Sequence, residues 1–365
     1  MEHAAVEPRD PWADVPPEVR PPGRLPAWPF FLVGFLLLVG ALAAYLPNVE
    51  LPWYTFSPGP VYDTADFIEV PTGTDRPGEL FFLTVSLKVA NPYDWLGAKL
   101  DRRVDLVPIV NVRPPGVTEE QLRRENLARM EQAKRDATFV ALTRLGYEVT
   151  LVGTGALVID TVEGSGADGV LLPGDVIVEV DGRPIEFRDD VVELLEDRRI
   201  GDEVRLVVER TPPGGGEPER TAVTIVLGPH VDDPSRPMIG VLLDNNEPIV
   251  EFPVEVEIDS RNIGGPSAGM MFALQIMNEL GPEDLAKGHR IAGTGTIDRE
   301  GNVGAIGGVR QKVYAAIDAG AEAVLVPEAN YEDALVAAGD DVELVEVSTI
   351  DDALAFLDGL EPVGS

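Results

Sequence analysis

From Leu25 to Leu46 the chain carries no charged residue: LPAWPFFLVGFLLLVGALAAYL. As a helix these 22 residues span ~33 Å, enough for a bilayer hydrocarbon core of ~30 Å. Trp28 and Tyr45 stand near its two ends, where amphipathic rings favour the membrane interface. Arg9, Arg20 and Arg24 precede the run, and no Lys or Arg follows it until Arg76. That asymmetry places the N-terminus in the cytoplasm and residues 48–365 outside, on a single-pass cell-membrane anchor. Ala41-Leu42-Ala43 is similar to a signal-peptidase site, which leaves a cleaved signal peptide as the alternative. The length of the run, and the 24 residues ahead of it, favour an uncleaved anchor. Residues 1–24, Pro-rich and charged, read as a disordered cytoplasmic tail.

Beyond the run the chain reads as an α+β multidomain protein. Residues 48–146 form a strand-rich segment plus helix expected to pack on a later domain. Strands are expected at Gly78–Val89 and Leu106–Val112, with a turn at Ser57-Pro58-Gly59-Pro60. From Val117 a helical pattern, capped by Thr118 and stopped by Gly146, predicts one long helix or two shorter ones. Residues 147–229 read as β-rich with a short helix over Asp189–Glu196. Leu-Pro-Gly-Asp at 172–175, the strand Val176–Val180 and the tight turn Asp181-Gly182 give this stretch a rhythm that resembles a bacterial PDZ domain. The resemblance implies a peptide added as a strand beside a helix, in a groove between Gly155, Leu157 and Ile159 on one side and Asp189–Glu196 on the other. A PDZ fold serving only as a spacer is the alternative. The nearest match to a carboxylate-binding loop is Val152-Gly153-Thr154-Gly155.

Residues 237–358 alternate α and β. A half-buried strand is expected at Ile249–Ile258, a buried helix at Ser267–Leu280 and a strand at Ile291–Ile297. Helices then fall at Val309–Ala319, Tyr331–Ala338 and Thr349–Leu357, with strands at Ala323–Pro327 and Val342–Val347. No phosphate-cradling GxxxxGK[ST] sequence occurs.

Composition narrows the chemistry. With 29 basic and 63 acidic residues the net charge is −34, a field that repels nucleic-acid backbones. The chain has no cysteine, so thiol nucleophiles, disulfides and thiolate metal sites are excluded. Three histidines, His3, His230 and His289, are too few for a histidine-rich metal site. No metal and no cofactor is expected.

Ser267 sits in Gly264-Gly265-Pro266-Ser267-Ala268-Gly269, among residues with almost no side chain, at the start of an apolar helix. Small neighbours let a carbonyl approach, and N–H groups at a helix start can donate to an oxyanion. An ordinary serine helix cap reads the same way. A nucleophilic serine needs a base. His289 is one option. Among the five lysines only Lys312 lies on an apolar helix face, beside Val309, Val313 and Ala316. Burial there would lower its pKa and supply a neutral amine. A lysine whose stem merely covers apolar surface is the alternative.

Taken together, Gly-Pro-Ser-Ala-Gly, Thr294-Gly295-Thr296-Ile297 and Gly307-Gly308-(x)3-Lys312 closely resemble the proteolytic domain of Lon-type proteases. The resemblance runs from about Val241 to Leu357 and includes Gly301–Gly308 and Ala323–Pro327. It implies a C-terminal Lon-type α/β proteolytic domain and a Ser–Lys dyad, with Ser267 as nucleophile and Lys312 as base. Thr294 would support the lysine, and the backbone at Gly265, Pro266 and Ala268 would form the oxyanion site. One position departs from the family, since Gly264 stands where Lon proteases often carry an acid. The order of segments resembles the membrane-anchored, PDZ-containing Lon-type endopeptidases of bacteria. That resemblance implies an ATP-independent serine endopeptidase with no ATPase. It would cleave unfolded or exposed protein segments outside the membrane, with protein or peptide substrates selected by the PDZ domain. It also implies a homo-oligomeric ring such as a hexamer. A catalytically inactive membrane-anchored scaffold is the alternative function.

Overall fold

The computed structural model describes residues 13–14, 26–231 and 233–364. Apart from Ala13 and Asp14, the expected tail over 1–24 lies outside the described residues, as does Leu25. The chain divides into two compact units.

The first unit comprises residues up to Ser57 and Leu87–Pro114. Its helix α1 (Trp28–Tyr45) buries none of its apolar side chains. Trp28–Asn48 is long and apolar enough to cross a membrane, by length and composition. Strands β1 (Trp53–Asp63) and β2 (Glu79–Val89) contribute to both units. Helix α2 (Pro92–Leu100) is an addition to the strands expected here. Asn91 and Asp94 close a reciprocal capping box around its first turn, which satisfies amides that have no intrahelical partner. Strand β3 (Asp105–Pro108) pairs antiparallel with Trp53–Phe56. The expected strand to Val112 stops at Pro108, because the next four residues wind into one helical turn closed by the Arg113 amide on the Ile109 carbonyl at 2.8 Å.

The expected turn at 57–60 is absent, and β1 runs straight through it. Gly59 is there for proximity: a Cβ would stand 2.6–2.7 Å from Thr84 on β2. The Thr84 hydroxyl donates to the Pro60 carbonyl at 2.7 Å. Since β3 pairs only with Trp53–Phe56, Pro58 and Pro60 fall beyond that ladder, where their missing N–H groups are tolerated.

The second unit spans Pro58–Ser86 and 115–365. Its first helix, α3 (Glu119–Arg144), is a single piece capped by Thr118. The chain then forms β4 (Thr150–Val152), β5 (Ala156–Thr161), β6 (Val176–Val180), α4 (Arg188–Leu195), β7 (Glu203–Arg210), β8 (Glu219–Val226), β9 (Val241–Asn245) and β10 (Ile249–Glu251). One sheet takes the order β8-β7-β6-β5-β9 around its own core of Ile177, Leu206, Val208 and Ile225. Asp175 anchors this domain: its buried carboxylate accepts the Leu172 amide at 2.9 Å and pairs with Arg210 at 2.6 Å. Residues 241–245, expected to lie in the C-terminal domain, form β9 of this sheet instead. A two-stranded ribbon of β4 and β10 lies where the chain enters and leaves the domain.

The remaining elements are α5 (Gly269–Leu280), β11 (Arg290–Gly293), β12 (Thr296–Ile297), β13 (Val303–Gly304), α6 (Val309–Asp318), β14 (Ala323–Pro327), α7 (Tyr331–Ala338), β15 (Glu343–Val347) and α8 (Ile350–Asp358). A largely parallel sheet takes the order β15-β14-β11-β2-β1. Alternate residues face opposite layers. Leu80, Phe82, Ile291 and Leu325 meet α3, α5 and α8 on one side, while Phe81, Leu83, Ala292 and Val324 meet α6 and α7 on the other. Met270, Phe272, Leu274 and Ile276 of α5 are fully buried, each contributing roughly 1.5–3 kcal/mol. The long strand expected over Ile249–Ile258 is broken into β10 and a short pairing of Glu257–Ile258 with Ile68–Glu69.

Candidate active site

Parallel strands bring the loops of both layers together at their carboxyl ends, where open α/β sheets place their sites. Thr294 is the residue that follows β11, and it is fully buried. The expected strand Ile291–Ile297 is interrupted here because the Thr294 side chain and the Gly295 amide both turn to Ser267. The Thr294 hydroxyl donates to the Ser267 carbonyl at 3.0 Å, and the Gly295 amide donates to the same oxygen at 2.9 Å. Ser267 lies just ahead of α5, whose N-cap is Ala268, and so stands outside the helix rather than in its first turn.

Lys312 arrives from the opposite layer, one turn into α6. Its Nζ stands 2.8 Å from Ser267 Oγ and 2.8 Å from Thr294 Oγ1. The lysine is 2% exposed, and burial pushes its amine down to about 7. The hydrogen-bond directions follow. Thr294 has committed its hydrogen to the Ser267 carbonyl, so its oxygen accepts from the lysine. A neutral amine that donates to Thr294 keeps a lone pair able to accept from the Ser267 hydroxyl.

The three backbone positions expected beside the serine behave differently. Pro266 has no N–H and is no donor. The Gly265 amide is committed to the Asn126 carbonyl at 2.8 Å. Among the described residues no backbone carbonyl accepts from the amide of Ala268 or from that of Ser267. Asn126 of α3 also accounts for Gly264, since a Cβ there would lie 3.1 Å from the Asn126 Cβ. Helix α3 thus backs the loop at the position where the family often has an acid. His289 is engaged elsewhere: Nδ1 meets Glu322 and Nε2 meets the Glu361 carbonyl, both at 2.8 Å.

The peptide groove expected along Leu157 and Ile159 is not available there. Both residues lie on β5, which is paired on both edges, to β6 and to β9. The Gly155 amide is held by the Glu186 carbonyl, and its carbonyl accepts from Asn246, both at 3.0 Å. The edge strand on this side of the sheet is β9, and among the described residues no strand pairs with its outer side. Between β9 and α4 lies a cavity of about 610 Å³ lined by Val191, Val192, Leu195, Met238, Val241 and Leu243. Sequence reasoning missed it. The available signal was Met238-Ile239-Gly240-Val241, an apolar–glycine step leading into a strand.

Residues 257–357 match the C-terminal proteolytic domain of Lon protease (S16), and residues 143–225 match a PDZ domain. The first match indicates a serine peptidase family. The chain therefore carries the proteolytic domain of the Lon family together with a PDZ domain, in a mixed α+β fold with one N-terminal apolar helix. Both β9 and β10 lie outside the two matched segments. The archaeal Lon protease of Thermoplasma acidophilum is 35% identical over 94 residues, which cover 25% of this chain and 14% of that protein. The archaeal Lon protease of Methanocaldococcus jannaschii is 34% identical over 122 residues, 33% of this chain and 18% of that protein. The Lon protease of Campylobacter concisus is 40% identical over 94 residues, 25% of this chain and 11% of that protein. The chain thus spans less than a fifth of each of these relatives. Among solved structures, the PDZ domain of an SdrC-like protein from Listeria innocua is 24% identical and covers 24% of this chain and 92% of its own, with a TM-score of 0.21.

Proposed function

We propose that this chain is an ATP-independent serine endopeptidase, held by α1 on the outer side of a membrane, that uses Ser267 and Lys312 as its catalytic pair. The observation that carries the reading is the 2.8 Å approach of a buried amine, its pKa lowered to about 7, to a half-buried serine hydroxyl. Lys312 Nζ takes the Ser267 proton as Oγ bonds to the scissile carbonyl carbon. The resulting oxyanion accepts from the Ser267 and Ala268 amides at the start of α5. On collapse the C–N bond breaks, the leaving amine takes the proton back from Lys312, and an ester remains on Ser267. Water then repeats the sequence with Lys312 again as base. Thr294 acts as a positioning residue, fixing the rotamer of Lys312 and the carbonyl of Ser267.

With no ATP-driven unfolding, the fitting substrates are unfolded segments, tails and exposed loops. The β9–α4 groove suits an extended segment with apolar side chains, added as a strand to the open edge of β9. Retained Arg9, Arg20 and Arg24 ahead of α1 favour a cytoplasmic N-terminus. A homo-oligomeric ring belongs to the same reading. The test is cleavage of an unfolded protein by the full chain in lipid nanodiscs, without nucleotide. Cleavage is expected, and its loss in Ser267→Ala. A requirement for ATP, or unchanged cleavage by Ser267→Ala, overturns the proposal, and no cleavage by the parent chain overturns it in favour of an anchored scaffold.

A further inference from the structure

Helix α2 presents an apolar face that the described residues of its own unit leave largely open. Tyr93, Leu96 and Leu100 recur at i, i+3 and i+7, so they share one side of the helix. Leu96 is 54% exposed and Leu100 81%, against near-zero exposure for the large apolar residues of either core. Gly97 lies between them, and a Cβ there would meet nothing within 4 Å. Trp95 flanks the same face, with the Lys99 ammonium 5.5 Å from its ring centre. This combination of Tyr, Trp and Leu with a snorkelling lysine is the chemistry of a membrane–water interface.

The placement of α2 identifies the partner. The Tyr93 hydroxyl donates to the Ala43 carbonyl at 3.1 Å, in the last turn of α1. Ala43 is two residues short of the helix end, so the Tyr93 side chain, at the start of α2, touches α1 within ~3 Å, along the axis, of where the apolar span finishes. Charge agrees. Residues 87–114 hold five basic and three acidic residues, a local net of +2 in a chain of net −34. A second protein could cover an apolar face. A face continuous with the end of an apolar span, and locally basic in an acidic chain, suits lipid headgroups.

We propose that α2 lies in the headgroup region of the bilayer that α1 crosses, with Tyr93, Trp95, Leu96 and Leu100 contacting lipid and Lys99 among the headgroups. This inference rests on the anchor reading of α1, and the experiment separates the two. The chain lacks cysteine, so single substitutions give unique labelling sites. Full-length Leu96→Cys, Leu100→Cys, Leu37→Cys and Leu335→Cys variants, each carrying an environment-sensitive fluorophore, are placed in nanodiscs of phosphatidylcholine and phosphatidylglycerol. Lipids brominated near the headgroup or deep in the acyl chains then serve as quenchers. Labels at 96 and 100 are expected to lose emission to shallow bromines, the label at 37 to deep ones, and the label at 335, in α7, to neither. If the label at 37 is quenched while those at 96 and 100 behave like that at 335, the α2 inference fails and the anchor stands. If 96 and 100 are shielded from water without lipid quenching, a protein covers the face and the inference fails. If the label at 37 is unquenched, the anchor reading falls and takes the inference with it.

Discussion

The proposed catalytic pair and the proposed peptide groove handle their polar groups in opposite ways. At Ser267, Thr294 and Lys312 the hydroxyls and the amine are already paired within the molecule, at 2.8–3.0 Å, behind layers of packed side chains. Along β9 one edge of the strand is paired with β5 and the other is open. The first arrangement fixes reacting atoms before a substrate arrives, so little reorganisation is left for the reaction itself. The second leaves backbone donors and acceptors for a chain that is not yet there.

The largest effect that can break this contrast is on turnover. Ser267→Ala should abolish cleavage, and Lys312→Ala should lower kcat by about 10²–10⁴-fold with little change in KM, since a general base acts only in the transition state. Steady-state kinetics on an unfolded substrate reads both. Next comes stability. The folded pKa of Lys312, about 7, lies below its ordinary value of 10.5, so between those two pH values folding strips a proton from the amine, and below pH 7 it buries the charged ammonium. At about 1.4 kcal/mol per unit this costs on the order of 5 kcal/mol below pH 7 and fades towards pH 10.5. Lys312→Met should therefore slow hydrogen exchange at α5, more at pH 6 than at pH 9. No difference between variant and parent would mean the amine is not desolvated. Activity should follow the same titration with the opposite consequence. Below pH 7 kcat should fall about tenfold per unit as the amine takes up a proton, and above it kcat should level off. A flat profile across pH 5–9 would remove Lys312 as the base.

Much of the protease was legible because its constraints are local. Gly-Pro-Ser-Ala-Gly, Thr294 and Lys312 each stand in a short pattern of small or apolar neighbours, and the structure brings the three side chains together. What was not legible depends on pairing between distant segments. Gly59 looks like a turn residue until Thr84 is found against it. Pro266 was read into a donor set by its neighbourhood, although its own chemistry excludes it. Strand β5 alternates like any half-buried strand, and no local signal tells that β9, about 80 residues later, takes its outer edge. The same pairing moved 241–245 from one domain to the other.

The smallest effect tests whether that open edge matters. Val192 on α4 lines the β9–α4 cavity and is 49% exposed, so a polar residue there disturbs the groove without entering the core. Removing one apolar contact from a bound segment is worth about 1.5 kcal/mol, or roughly tenfold in affinity. Val192→Asp should therefore raise KM about tenfold for substrates with apolar tails, leave kcat unchanged, and shift stability by no more than about 0.5 kcal/mol. A matched short peptide that reaches Ser267 without spanning the groove should show no change. If both substrates respond alike, the groove shapes the active site rather than selecting for it. If neither responds, the domain built around β9 is a spacer, and substrate choice lies with the loops around Ser267.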